Sequence, residues 1–186
     1  MKVAALQMVS TPELQSNLDA ARRLIARAAE AGAQLVALPE YFCLMGHSPQ
    51  DKLAFAEAPG DGPIQQMLSD AARRHGLWVI GGTLPLRCPD PERVLNASCV
   101  FGPDGASVAR YAKIHLFKYD NGRENHDEGR TILAGSEPVS FSAGAIRIGL
   151  SVCYDLRFPE LYRALMHPPC DLLAVPSAFT YPTGQA

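Results

Sequence analysis

The 186-residue sequence predicts an α/β fold, layered around a mixed sheet. Two observations carry that prediction: short apolar runs alternate with segments of helical periodicity, and two apolar runs are joined by a turn rich in Gly and Asp. No internal repeat or Pro/Gly/Ser-rich linker divides the chain, so residues 1–186 read as one domain.

Residues 2–8, KVAALQM, form a nearly continuous apolar run, the pattern of a strand buried on both faces. A helix is expected next. Thr11 can cap it, Pro12 suits its first turn, and Leu14, Leu18, Ala21, Ile25 and Ala28 recur at helical spacing before Gly32 stops it. QLVAL (34–38) reads as a second strand, and Glu40 follows it in LPEYF, just past a carboxyl end where open α/β sheets bind ligands. After a polar stretch, Pro63 to His75 repeats the helical pattern with Ile64, Met67, Leu68 and Ala71, and Gly76 ends it. LWVIGG (77–82) is a third strand. VLNASCVF (94–101), GPDG (102–105) and ASVARYA (106–112) make an antiparallel hairpin, and with it the sheet becomes mixed. Residues 118–135 are strongly polar and too long for an ordinary connector, so they read as a functional or mobile loop. AIRIGLSV (145–152) is a buried strand, Pro159 to Met166 a short helix ended by the double proline 168–169, and DLLAV (171–175) a last strand.

Composition narrows the function. With 17 Lys+Arg against 19 Asp+Glu and a net charge of -2, the chain lacks the basic footprint of a nucleic-acid partner. A small neutral or acidic molecule suits it better. Five cysteines without a CxxC pair point to a reducing compartment. Gln7 and Ser10 interrupt the N-terminal apolar run before a signal-peptide core forms, and no run approaches membrane-spanning length. A cytoplasmic chain with no membrane partner is expected.

Cys153, in GLSVCYDLRFPEL, stands where a strand gives way to a helix-like run. A helix N-terminus there would stabilise a thiolate and a developing oxyanion. Spacing alone equally suits a small, inert, buried thiol. Glu40 fits either a shielded acid–base carboxylate or a capping residue. Lys113, in YAKIHLF, fits either an oxyanion donor or an edge lysine with its stem on apolar surface. His115 and His126, near Asp127 and Glu128, match no recognised metal-ligand spacing, and no metal is expected.

Together, LPEYF, YAKIHLF and SVCYDLRFPEL resemble the nitrilase superfamily of carbon–nitrogen hydrolases, over the whole chain from KVAALQM to VPSAFTYPTG. The resemblance implies an αββα sandwich with a Glu-Lys-Cys triad: Glu40 as base and acid, Lys113 as oxyanion stabiliser and Cys153 as nucleophile. It also implies a second glutamate in the intervening loop. HDEGRTILAG assigns that role to Glu128, with Glu124 and Asp127 as alternatives, although Ala134 stands where relatives have proline. Tyr154 would lend its backbone N–H to the oxyanion, and Arg157 and Glu160 would brace the turn, with substrate contact by Arg157 the lesser alternative. Nothing in the resemblance calls for a cofactor.

Within the superfamily, LPEYFCLMG and SVCYDLRFPELYRAL most resemble deaminated glutathione amidases and omega-amidases, which act on small carboxylate-bearing amides. Arg123 and Arg130 are then candidates, by charge, to receive the carboxylate. A homodimer through residues 159–166 is implied as well. The family continues beyond the segment corresponding to PSAFTYPTGQA, so the chain reads as lacking the C-terminal portion of the sandwich. That observation keeps open an alternative, a catalytically silent structural or interaction module. A nitrilase or carbamoylase of the same superfamily is a third reading.

Overall fold

The computed structural model of the chain describes residues 1–120, 122, 125–179 and 184–185. Its largest sheet contains β1 (Val3–Ala5), β2 (Leu35–Ala37), β3 (Trp78–Ile80), β4 (Leu84–Arg87), β5 (Val94–Phe101) and β6 (Ser107–Ala112). β1, β2 and β3 are parallel, whereas β5 runs antiparallel to β3 and β4 along one edge and to β6 along the other. A second sheet has the order β11 (Leu172–Ala174), β10 (Ile146–Leu150), β9 (Val139–Ala143). A small hairpin joins β7 (Lys118–Asp120) to β8 (Asn125–Asp127).

Side-chain alternation explains the layering. In β2 and β3, Val36 and Val79 face α1 (Leu14–Glu30) and α3 (Pro63–His75), while Leu35 and Ile80 point to the second sheet. Leu18, Ala21, Ile25 and Ala28 of α1, with Ile64, Met67 and Leu68 of α3, fill the first of these interfaces. Phe141, Ile148 and Leu150 close the second. α4 (Pro159–Leu165) covers the far face of the second sheet, where Gly149 leaves room for Leu165 and Cys170; a Cβ there would press on both. The order is helix, sheet, sheet, helix, the αββα arrangement expected from the sequence. Burying one such Leu or Ile contributes about 1.5–3 kcal/mol.

Several elements differ from expectation. β1 is not buried on both faces: it ends its sheet among the described strands, and Val3 is 45% exposed. α1 begins at Leu14 rather than beside Thr11, because Asn17 Oδ1 accepts from both Thr11 N and Thr11 Oγ1 and folds that loop back on the helix. β4 was missed because Pro85 reads as a strand breaker; it lies opposite Asn96 in an antiparallel pair. β9, paired with β10 through a two-residue turn at Gly144 and Ala145, was masked by its serines. The polar stretch from Lys118 holds β7, β8 and one short turn of 3₁₀ helix over Glu128–Arg130. α2 (Asp51–Ala54) adds one turn in the segment read as irregular.

Candidate active site

Three strand ends converge. Glu40 follows β2, Lys113 follows β6 directly, and Cys153 lies three residues past β10. Two glycines let the backbone close in: a Cβ on Gly82 would run into the Pro39 carbonyl beside Glu40, and one on Gly135 into the Ala112 carbonyl beside Lys113. Tyr41 and Cys153 both adopt positive φ, at 54° and 48°. That conformation costs non-glycine residues on the order of 1–3 kcal/mol and persists only where the surroundings over-determine it.

Those surroundings are specific. Tyr41 N–H donates to Thr83 Oγ1 at 2.9 Å, and Cys153 N–H to the Pro176 carbonyl at 3.0 Å. The Cys153 turn is held by Asp155, which is fully buried. Its Oδ2 accepts from Val152 N–H at 2.8 Å and from the Tyr111 hydroxyl at 2.7 Å, while Oδ1 accepts from His115 N–H at 2.9 Å and meets His115 Nδ1 at 2.7 Å. His115 also stacks on Phe158, centroid to centroid 3.7 Å. Asp155, not Arg157 or Glu160, therefore braces this turn. Glu160 pairs on the surface with Arg163, and Arg157 has no hydrogen-bond or ion-pair partner among the described residues.

The polar cluster is dense. Lys113 Nζ lies 2.9 Å from Glu40 Oε1 and 2.9 Å from Glu128 Oε2, and Lys113 and Glu40 are only 1% and 3% exposed. Glu40 Oε1 also accepts from Asn96 Nδ2 at 3.0 Å, Oε2 accepts from Ala178 N–H at 3.0 Å, and Cys153 lines the same cavity as this carboxylate. Glu128 accepts from the Tyr41 hydroxyl at 2.7 Å and from Phe117 N–H at 2.7 Å. Glu40, Lys113, Glu128 and Cys153 are thus brought together as the sequence predicted. Asp127 pairs instead with Lys118 Nζ at 3.2 Å. Asn96, Tyr41 and Asp155 were missed. Asn96 sits in mid-strand with no local signal, and Asp155 differs from a surface aspartate only through partners distant in sequence.

Burial sets the proton affinities. It raises Glu40 above the ordinary carboxylate range, and Glu128 adds to this, against the pull of Lys113. For Lys113, burial acts downward, but Glu40 and Glu128 outweigh it and hold the ammonium above its usual range. The Cys153 thiol is pushed up to about 12 by burial and then by the Glu40 charge. This corrects the helix-terminus expectation. No α-helix begins at Cys153: a short 3₁₀ segment over Cys153–Arg157 intervenes, and α4 starts only at Pro159. A neutral thiol therefore rests against a carboxylate able to take its proton, and that transfer leaves the net charge of the cluster unchanged.

Above the cluster lies a cavity of about 620 Å³, lined by Glu40, Lys113, Glu128 and Cys153, by the Tyr154 side of the Cys153 turn, and by Lys52, Arg130 and Arg157. Tyr154 packs edge-on to Phe117 and Phe158, centroids 5.3 and 5.4 Å away. Arg130 is exposed at the cavity; Arg123, and Glu124 among the alternatives, lie outside the described residues. Among the described residues no group of three or more His, Cys, Asp or Glu side chains could hold a metal ion. None of the helices there is long and apolar enough to cross a membrane.

A layered α/β frame that gathers a buried glutamate, lysine and cysteine at the ends of its strands defines a class of site built for nucleophilic attack by sulfur. The chain belongs to the carbon-nitrogen hydrolase family, whose model matches residues 2–185. It is 36% identical over 190 residues to an omega-amidase, NIT2-A, of Xenopus laevis, covering 100% of this chain and 66% of the relative. A deaminated glutathione amidase of Synechocystis is 39% identical, with 98% of this chain and 68% of the relative covered. The chain thus spans about two thirds of the length of these relatives. Among solved structures, the NitFhit protein of C. elegans matches with a TM-score of 0.87 at 35% identity, over 99% of this chain and 45% of that one. A variant of the Nesterenkonia sp. amidase, shown after Michael addition of acrylamide at its active-site cysteine, matches at TM-score 0.82 and 30% identity, over 96% and 67% of the two chains.

Proposed function

We propose that the chain hydrolyses the C–N bond of a small, carboxylate-bearing amide through a thioester on Cys153. The observation that carries this is the gathering of Cys153 with a Glu40 carboxylate ion-paired to Lys113 in the lining of one cavity. Glu40 takes the thiol proton as sulfur attacks the amide carbon, and the carbonyl oxygen becomes an anion. Lys113 has three N–H donors; Glu40 and Glu128 engage two, and the third serves that oxygen together with the Tyr154 N–H. Glu40 then protonates the leaving nitrogen, ammonia departs, and the same carboxylate activates the water that releases the acid.

Glu128 acts through Lys113. Both of its oxygens are occupied by Lys113, Tyr41 and Phe117, which supports a positioning role over direct contact with substrate or water. Arg130 and Arg157, exposed at the cavity and without hydrogen-bond or ion-pair partners among the described residues, are suited to attract a substrate carboxylate, as was expected of Arg130 and Arg123. The relatives' names, omega-amidase and deaminated glutathione amidase, favour the same substrate class.

The enzyme is proposed to work in the cytoplasm as a homodimer; the outer face of α4, with Glu160 and Arg163 exposed, is available for pairing. The test is ammonia release from a panel of small amides by the parent chain and by Cys153→Ala. Activity confined to the parent is expected. Equal release by both would eliminate Cys153 as nucleophile.

A further inference from the structure

Lys52 is a partly buried cation of the cavity with no carboxylate paired to it among the described residues. It lies in α2, placed there by Asp51, whose carboxylate accepts from His47 N–H at 2.8 Å, Ser48 N–H at 3.1 Å and Ser48 Oγ at 2.6 Å, and so ties the preceding loop to the helix. The Lys52 ammonium sits 5.4 Å from the centre of the Tyr41 ring and 3.4 Å from Thr131 Oγ1, a contact beyond ordinary hydrogen-bond length. No carboxylate among the described residues comes within 4.0 Å of it.

The neighbouring charges differ. Lys113 is matched by two carboxylates, and those carboxylates are themselves occupied by Lys113, Asn96, Ala178, Tyr41 and Phe117. Arg130 and Arg157 are exposed, so water solvates them. Lys52 has neither advantage: burial holds it below the ordinary lysine range despite the more distant attraction of Glu128 and Glu40. A partly desolvated ammonium with donors to spare, facing a cavity, lacks an anion, and a bound anion there is screened far less than at the rim.

Resting on the amidase reading above, we propose that Lys52 is the residue that recognises the substrate's carboxylate, while the rim arginines only attract it. A neutral amide would leave Lys52 uncompensated, so Lys52 would select anionic amides over neutral ones of similar shape.

The test compares glutaramate, an anionic monoamide, with neutral pentanamide. In Lys52→Met the ratio of kcat/KM for glutaramate over pentanamide should fall about 100-fold, the order expected for loss of a buried charge contact, while Lys52→Arg should keep the ratio within about tenfold of the parent. A second readout needs no turnover: glutarate should protect Cys153 from alkylation in the parent, and Lys52→Met should need about 100-fold more of it. If the parent hydrolyses amides but Lys52→Met changes neither the ratio nor the protection, the Lys52 assignment is overturned and amide hydrolysis stands. If the parent hydrolyses neither amide yet glutarate protects in a Lys52-dependent way, anion recognition by Lys52 stands and amide hydrolysis falls.

Discussion

Glu40→Gln should move two reactions of Cys153 in opposite directions. Glutamine keeps the size of the side chain and one carbonyl oxygen, enough for the Asn96 donor at Oε1 or the Ala178 donor at Oε2 but not both, and it loses the charge and the basicity. Amide hydrolysis should drop by about 10²–10⁴ in kcat/KM, the usual contribution of a general acid–base residue. Alkylation by a small reagent should accelerate. The thiol stands at about 12 because burial raises it and the Glu40 charge raises it further. Removing a close like charge lowers a pKa by about 1–3 units. At pH ~9 a fall of about 2 units multiplies the thiolate ~100-fold, and the weaker nucleophilicity of a less basic sulfur returns roughly tenfold of that. A net acceleration of about tenfold remains. The assay is the pH dependence of iodoacetamide uptake at the Cys153 peptide, followed by mass spectrometry beside ammonia release. Slower alkylation with an unshifted or higher pKa would refute the claim that the Glu40 charge holds the thiol protonated.

Four further outcomes follow from the same contacts. The acid limb of the kcat/KM profile should lie above the ordinary carboxylate range, because Glu40 must be ionised to accept the proton and burial raises it; activity is lost as pH falls through that raised value. Glu128→Gln should shift this limb to lower pH, since the Glu128 charge is one of the influences raising Glu40, and a rate profile on one amide reads the sign. Asp155→Asn should cost about 3 kcal/mol by leaving part of the Val152, Tyr111 and His115 network unmatched, a fall in Tm of about 6–12 °C by calorimetry. Gly82→Ala should lower both Tm and kcat, because the added methyl meets the Pro39 carbonyl beside Glu40; unchanged kcat in a folded variant would contradict that placement.

Most of the frame was legible because its signals are local. The apolar spacing of Leu18, Ala21, Ile25 and Ala28, and the Pro63 and Gly76 that bound α3, act within one element and survive in the structure. β4 and β9 were not legible, since a proline and alternating serines hide strands that form only through their partners β5 and β10. At the site, Glu40, Lys113 and Cys153 were found through their joint order, and each lies beyond a strand. The surroundings of the thiol were not legible. Helix-like residues after Cys153 suggested a dipole, whereas burial and the Glu40 carboxylate, which arrives from far along the chain, decide the proton's place. Asp155 and Lys52 escaped notice for the same reason: their meaning depends on what surrounds them in space.

The central claim is that Cys153 becomes acylated during turnover. Acid quenching of the chain during hydrolysis of a slow amide, followed by intact-mass and peptide mass spectrometry, tests it directly. The account predicts a mass increase equal to the acyl group, located on the Cys153 peptide, labile to hydroxylamine and absent from Cys153→Ala. Steady ammonia release with no acyl group on Cys153, or with the acyl group on Cys43, Cys88, Cys99 or Cys170, would contradict it.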